Sequence, residues 1–101
     1  MDLYTADGVR QALASKWDTY YAKLAVGQPP TWKCDQRTKE NFCLSQWLMD
    51  ELIAQGCPQE DRIFVQNFFN RKARAENDLY ELAARAMNTF VEGNIERYRG
   101  R

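Results

Sequence analysis

Apolar residues recur at helical spacing through the first part of the chain. Over residues 7–24 they follow one another in steps of three and four, which is the periodicity of one face of an α-helix. Gly27 and two prolines come next and end the pattern, because proline disfavours helical geometry in the residue before it. We therefore predict a first helix over 7–24, with Thr5 or Asp7 as its N-cap. Its predicted apolar face comprises Val9, Leu13, Trp17, Tyr20, Tyr21 and Leu24.

The second helical pattern covers residues 36–55 and is apolar on two sides. Asp35 or Thr38 can open this helix, and Gly56 suits a left-handed C-cap. A helix with no broad polar side is either central in a bundle or shared with another chain, and the pattern leaves both interpretations open. One side carries Cys43, Leu44, Trp47, Leu48 and Leu52, and the nearly opposite side carries Phe42, Met49 and Ile53.

A third helical pattern runs over residues 59–97, and its middle, 70–77, supports two interpretations. The apolar residues keep their phase throughout, and residues 70–77 contain strong helix formers but no glycine or proline. The charges favour two helices, since basic residues precede acidic ones there and Asp78 and Glu81 have the spacing of a capping box. We favour one continuous helix, straight or bent near 70–77, because a turn would lose backbone hydrogen bonds without special residues to compensate, and a break into two helices there is the alternative.

The predicted fold class is all-α, a bundle of three to four helices in a single domain over 1–101. Residues 1–5 are expected to be a short flexible N-terminus, and 97–101 a basic C-terminal tail. A continuous third helix of about 57 Å, at ~1.5 Å per residue, would extend beyond a body built from two shorter helices. Its apolar residues from Leu79 to Phe90 would then need cover, so we expect a second chain to complete the bundle.

Composition narrows the function classes further. Lysine plus arginine and aspartate plus glutamate both total 14, so net charge favours neither nucleic acid nor an anionic membrane. The chain has no apolar run of membrane-spanning length and no signal-peptide pattern at its start, which predicts a cytoplasmic protein. It contains no histidine, the commonest general base. The spacing of Cys34, Cys43 and Cys57 matches no zinc pattern. We therefore expect no enzymatic activity, no metal and no cofactor.

The function that these patterns favour is protein–protein binding. A small helical adaptor, regulator or assembly factor would use its apolar helix faces to bind another protein or a second copy of itself. Two alternatives remain: a nucleic-acid-binding regulator that uses the basic cluster 71–74 and the tail 97–101, and a redox or metal sensor that uses the cysteines. The predicted partner-binding residues are Trp47, Met49, Ile53, Phe68, Phe69, Arg71, Lys72 and Arg74.

Overall fold

The computed structural model describes residues 4–27 and 35–92, apart from the side chains of 91 and 92. Within these ranges the chain forms four α-helices and no strands, which confirms the predicted all-α bundle. The last α-helix continues directly into a π-helical segment. In chain order the elements are α1 (Ala6–Gly27), α2 (Gln36–Ala54), α3 (Gln59–Ala73), α4 (Leu79–Ala86) and the π segment (Met87–Glu92).

Local side-chain chemistry sets the ends of the first helices. The Thr5 hydroxyl accepts a hydrogen bond from the Gly8 amide at 3.1 Å, and the Asp35 carboxylate accepts one from the Thr38 amide at 2.8 Å. Each therefore satisfies an amide that the first turn leaves without a helical partner. Gly56 follows α2 with φ of 75°, a conformation that glycine adopts without steric cost. These caps agree with the sequence-based candidates.

The favoured interpretation of 59–97 as one continuous helix is wrong and the alternative, a break near 70–77, is correct, because α3 ends at Ala73 and α4 begins at Leu79. We expected a turn to leave carbonyl groups without partners, but a residue from another helix supplies the donors. The Arg37 guanidinium, near the start of α2, donates hydrogen bonds to the carbonyl oxygens of Ala73 and Glu76. The backbone at the end of α3 is thus satisfied through a tertiary contact. Residues 93–97 of the predicted helix lie outside the described residues.

The start of α4 is satisfied by the side chain of Asp78. One of its carboxylate oxygens accepts hydrogen bonds from the amides of Tyr80, at 3.0 Å, and Glu81, at 3.2 Å. The same carboxylate forms an ion pair of 3.3 Å with Arg10 of α1. Asp78 therefore caps α4, as the alternative interpretation anticipated, and it also links the turn to the first helix.

Helix α2 is central in the bundle, although on its second apolar side Phe42 and Met49 are half-buried and Ile53 is exposed. This helix packs against α1, α3, α4 and the π segment. The apolar face of α4 is covered by contacts with α1, α2 and α3, so it does not extend beyond the body. Our geometric reason for expecting a second chain is thereby removed, although the existence of such a chain stays a prediction. The fully buried core includes Val9, Leu13, Leu44, Leu48, Leu52, Val65, Leu82 and Met87.

The chain segment before α1 is held against the π segment. The Asn88 amide group donates to the Tyr4 carbonyl at 2.8 Å and accepts from the Tyr4 amide at 3.0 Å. The Tyr4 ring lies edge-on to Trp47, with centroids 6.1 Å apart, and its hydroxyl donates to Glu51 at 3.2 Å. The predicted flexible N-terminus, 1–5, is therefore tethered at its fourth residue. Its first three residues lie outside the described part of the chain.

Two polar pairs connect α2 to its neighbours within the bundle. The Tyr20 hydroxyl of α1, 1% exposed, donates to Asp50 of α2 at 2.7 Å. Burial, followed by this hydrogen bond and the charge of Asp50, raises the pKa of Tyr20 above its ordinary value. The Ser45 hydroxyl of α2 donates to the side-chain oxygen of Asn70 on α3 at 2.8 Å. Each pair fixes the position of an outer helix relative to α2.

Candidate protein-binding site

Two of the predicted partner-binding residues belong to the core. Trp47 is 2% exposed and Phe69 is 0% exposed, so neither offers a surface to a partner in this fold. Helical spacing placed them on apolar faces correctly, but spacing does not tell which apolar face the bundle itself covers. We correct the prediction for these two residues and assign them to packing.

Five of the six remaining predicted residues lie on two helices. On α2, Met49 is half-buried and Ile53, in the last turn, is 52% exposed. Phe68, Arg71 and Lys72 lie on α3, with Phe68 half-buried and the two basic residues exposed. Arg74 follows the end of α3 and lines a cavity of about 210 Å³ between that end and the start of α2. The densest group of these residues is therefore on the outer side of α3.

An aromatic cluster stands on this side of α3 and consists of Phe64, Phe68 and Phe90. The ring centroids of Phe68 and Phe90 are 4.6 Å apart with an interplanar angle of 64°, and those of Phe64 and Phe90 are 5.5 Å apart with an angle of 73°. Both are the edge-to-face geometries that aromatic rings prefer. Phe64 is nevertheless 49% exposed. Our sequence prediction missed Phe64 as a site residue, although its four-residue spacing from Phe68 placed the two side by side on a helix.

Opposite charges flank the aromatic cluster along α3. At the C-terminal end Arg71 and Lys72 are exposed, and the Lys72 ammonium lies 5.9 Å from the centre of the Phe68 ring. At the N-terminal end Glu60 is exposed, whereas the adjacent Asp61 is only 5% exposed and presents little charge to solvent. The outer side of α3 is therefore acidic at one end, aromatic in the middle and basic at the other end.

These side chains share one narrow face of the helix. Positions separated by four, seven and eleven residues lie close to one line along an α-helix, and Glu60, Phe64, Asn67 and Arg71 have this spacing. All four are exposed. With the flanking Phe68 and Lys72 they form the surface that we call the α3 strip: Glu60, Phe64, Asn67, Phe68, Arg71 and Lys72.

A second aromatic surface lies on α1, but its basic groups are already engaged within the chain. Trp17 and Tyr21 stack with centroids 6.2 Å apart, and the Lys39 ammonium lies 5.1 Å from the centre of the Tyr21 ring. The Arg10 guanidinium lies 4.7 Å from the centre of the Tyr80 ring. The Arg10 guanidinium also forms ion pairs with Asp7 and Asp78, so its charge is already neutralised by partners within the chain.

The cysteines and acidic residues provide no second candidate site within 4–27 and 35–92. Cys43 and Cys57 are buried at 0% and 4% exposure, and Cys34 lies outside the described residues. No group of three or more cysteine, aspartate or glutamate side chains in these ranges is arranged to hold a metal ion. None of the described helices combines the length and hydropathy that crossing a membrane requires.

Comparison of the chain with protein-family models, with curated proteins and with solved structures found no match. The α3 strip is therefore interpreted from its own geometry. Its exposed ring is supported by two others and placed between opposite charges, an arrangement that can bury apolar area and form ion pairs at the same time.

Proposed function

We propose that this protein acts by binding another protein chain through the α3 strip. The observation that carries the proposal is the position of Phe64, which is 49% exposed although the core of the bundle is filled without it. Covering an aromatic ring removes apolar surface from water, which is worth roughly 25 cal/mol per Å². Aromatic and arginine side chains are also the residues most often dominant at protein interfaces. Phe64 and Arg71 supply both on one helix face.

The contacts around Phe64 support this role further. Its ring packs against Phe90, which also contacts Phe68, so the exposed ring is held in a defined position before any partner arrives. A side chain that is already ordered loses less conformational entropy when it is buried by a partner. The aromatic cluster thus offers apolar area at a low entropic cost.

The other two functions considered from the sequence have less support. A nucleic-acid interface would use Arg71, Lys72 and Arg74, but Glu60 lies on the same helix face as Arg71 and would repel a polyanion there. A thiol sensor needs an accessible cysteine, whereas Cys43 and Cys57, the cysteines in the described part of the chain, are both buried. We therefore favour a binding function of the adaptor or assembly type, without enzymatic activity.

The test is a pull-down from native cell lysate. The wild-type protein and two surface variants are each immobilised, and the proteins that each one captures are compared. Phe64→Asp places a charge in the aromatic cluster, and Val26→Asp is the matched control on α1, where Val26 is 88% exposed. Captured proteins, including this chain itself, are quantified by mass spectrometry. We expect a defined protein to be retained by the wild type and by Val26→Asp and to be lost with Phe64→Asp. Equal retention by all three, with folding verified by circular dichroism, would contradict the proposal.

A further inference from the structure

We propose that the α3 strip binds the same strip on a second copy of this chain, with the two α3 helices antiparallel. This inference rests on the proposed function, because it names the partner of that same surface. The observation behind it is that two copies of the strip, placed antiparallel, bring aromatic residues opposite aromatic residues and acidic residues opposite basic ones.

The complementarity follows from positions along α3. Phe64 and Phe68 lie two residues before and two residues after Gln66, and Glu60 and Lys72 lie six residues before and after it. Consider two identical helices packed antiparallel about a two-fold axis at the level of Gln66. A residue a given number of positions before Gln66 in one copy then lies opposite the residue the same number of positions after Gln66 in the other copy. Phe64 of one copy then meets Phe68 of the other, and the aromatic clusters of both copies join.

The charges select the antiparallel arrangement over a parallel one. In the antiparallel pair, Glu60 of each copy faces Arg71 and Lys72 of the other, and the two-fold axis repeats this contact. In a parallel pair in the same register, Glu60 would face Glu60 and Lys72 would face Lys72, which is repulsive. The helix dipoles also favour the antiparallel pair, because the positive end of each helix then lies beside the negative end of the other.

The size of the strip defines what kind of dimer it forms. The helix α3 has 15 residues, a length of roughly 22 Å at ~1.5 Å per residue. One pair of such helices gives an interface at the small end of the protein range, below about 1,200 Å² in total. Ile63, which is 47% exposed and borders the strip, adds apolar area to it. The expected dimer is therefore reversible, and its population rises with protein concentration.

Charge reversal tests the arrangement without altering the core. The first variant is Glu60→Lys, and the second is Arg71→Glu/Lys72→Glu. In either variant alone the antiparallel dimer brings like charges together twice. We expect each variant to self-associate about tenfold more weakly than the wild type, since exposed ion pairs are individually modest and two sets are reversed per dimer.

A mixture of the two variants provides the decisive measurement. A mixed dimer pairs Lys at position 60 with the two new glutamates, and its other end keeps Glu60 opposite Arg71 and Lys72. The mixture is therefore expected to associate as strongly as the wild type, whereas neither variant does so alone. Association is measured by sedimentation equilibrium over a range of concentrations. Circular dichroism of each variant verifies that the helices remain folded.

Three results would overturn the inference: a wild-type chain that stays monomeric at every concentration, charge-reversed variants that associate like the wild type, or a mixture that fails to recover association. If the wild type is monomeric but still captures a different protein in a Phe64-dependent manner, only the second-copy partner is refuted. If it is monomeric and captures nothing, the proposed function fails with it.

Discussion

Replacing Asp78 by alanine is expected to destabilise the protein by about 1.5 kcal/mol. The Asp78 carboxylate accepts hydrogen bonds from the amides of Tyr80 and Glu81, and losing such an N-cap costs typically ~1 kcal/mol. The variant also loses the ion pair with Arg10. The side chains of Arg10 and Asp78 are 48% and 45% exposed, so we assign that pair no more than about 0.5 kcal/mol.

Asparagine at the same position separates the two contributions. Its side-chain oxygen caps a helix about as well as that of aspartate, but its neutral amide forms no ion pair with Arg10. Asp78→Asn is therefore expected to lose about 0.5 kcal/mol or less, against about 1.5 kcal/mol for Asp78→Ala. The difference between the two variants measures the cap alone.

Urea unfolding followed by circular dichroism gives both free energies, provided that the urea dependence of unfolding is unchanged. In thermal unfolding, a loss of 1.5 kcal/mol lowers the Tm of a domain of this size by roughly 6–12 °C. If Asp78→Ala and Asp78→Asn destabilise the protein equally, or if Asp78→Ala has no effect, the cap does not stabilise the start of α4. Our account of how the start of α4 is stabilised would then be refuted.

Three further substitutions test packing, a buried hydrogen bond and the N-terminal contact. Phe69→Ala removes a fully buried ring and is expected to cost about 3–5 kcal/mol in urea unfolding; a loss below about 1 kcal/mol would contradict its place in the core. Tyr20→Phe removes the hydrogen bond to Asp50 and should cost about 1–2 kcal/mol at neutral pH. The pKa of Tyr20 is raised above its ordinary value of 10.0 in the folded protein, so just above pH 10 the unfolded chain loses this proton while the folded chain keeps it. The free energy of unfolding should therefore fall as the pH rises above 10, and it should fall less steeply in Tyr20→Phe. Equal slopes in the two proteins would contradict this. Asn88→Ala should increase hydrogen exchange at the Tyr4 amide, as followed by NMR, and unchanged exchange would argue against that contact.

Much of the helical architecture was determined by interactions within a few residues. Thr5, Asp35 and Gly56 act at the helix ends where their local chemistry predicts, because a cap depends on the side chain and backbone of its own turn. Periodicity likewise placed Val9, Leu13 and Leu24 of α1 in the core. These features need no knowledge of how the helices pack, so the sequence alone was sufficient.

The candidate site could be predicted only in part. Phe68, Arg71 and Lys72 were identified from the sequence and do lie together on the outer side of α3. Phe64 was missed and Phe69 was included wrongly, because adjacent apolar residues on a helix give no indication of which one faces the bundle. That choice depends on the position of α2 and α4, which cover Phe69 and leave Phe64 half exposed.

The break between α3 and α4 shows most clearly what the sequence alone did not determine. Residues 71–76 are strong helix formers, and their local propensity favours one continuous helix. A break is stable because Arg37, more than thirty residues earlier in the chain, donates to the carbonyl groups at the end of α3. It also lets α4 pack its apolar face on α1 and α2. The sequence therefore determined where helices can form and which residues can cap them. Tertiary contacts decided where α3 ends and which aromatic side chains stay exposed.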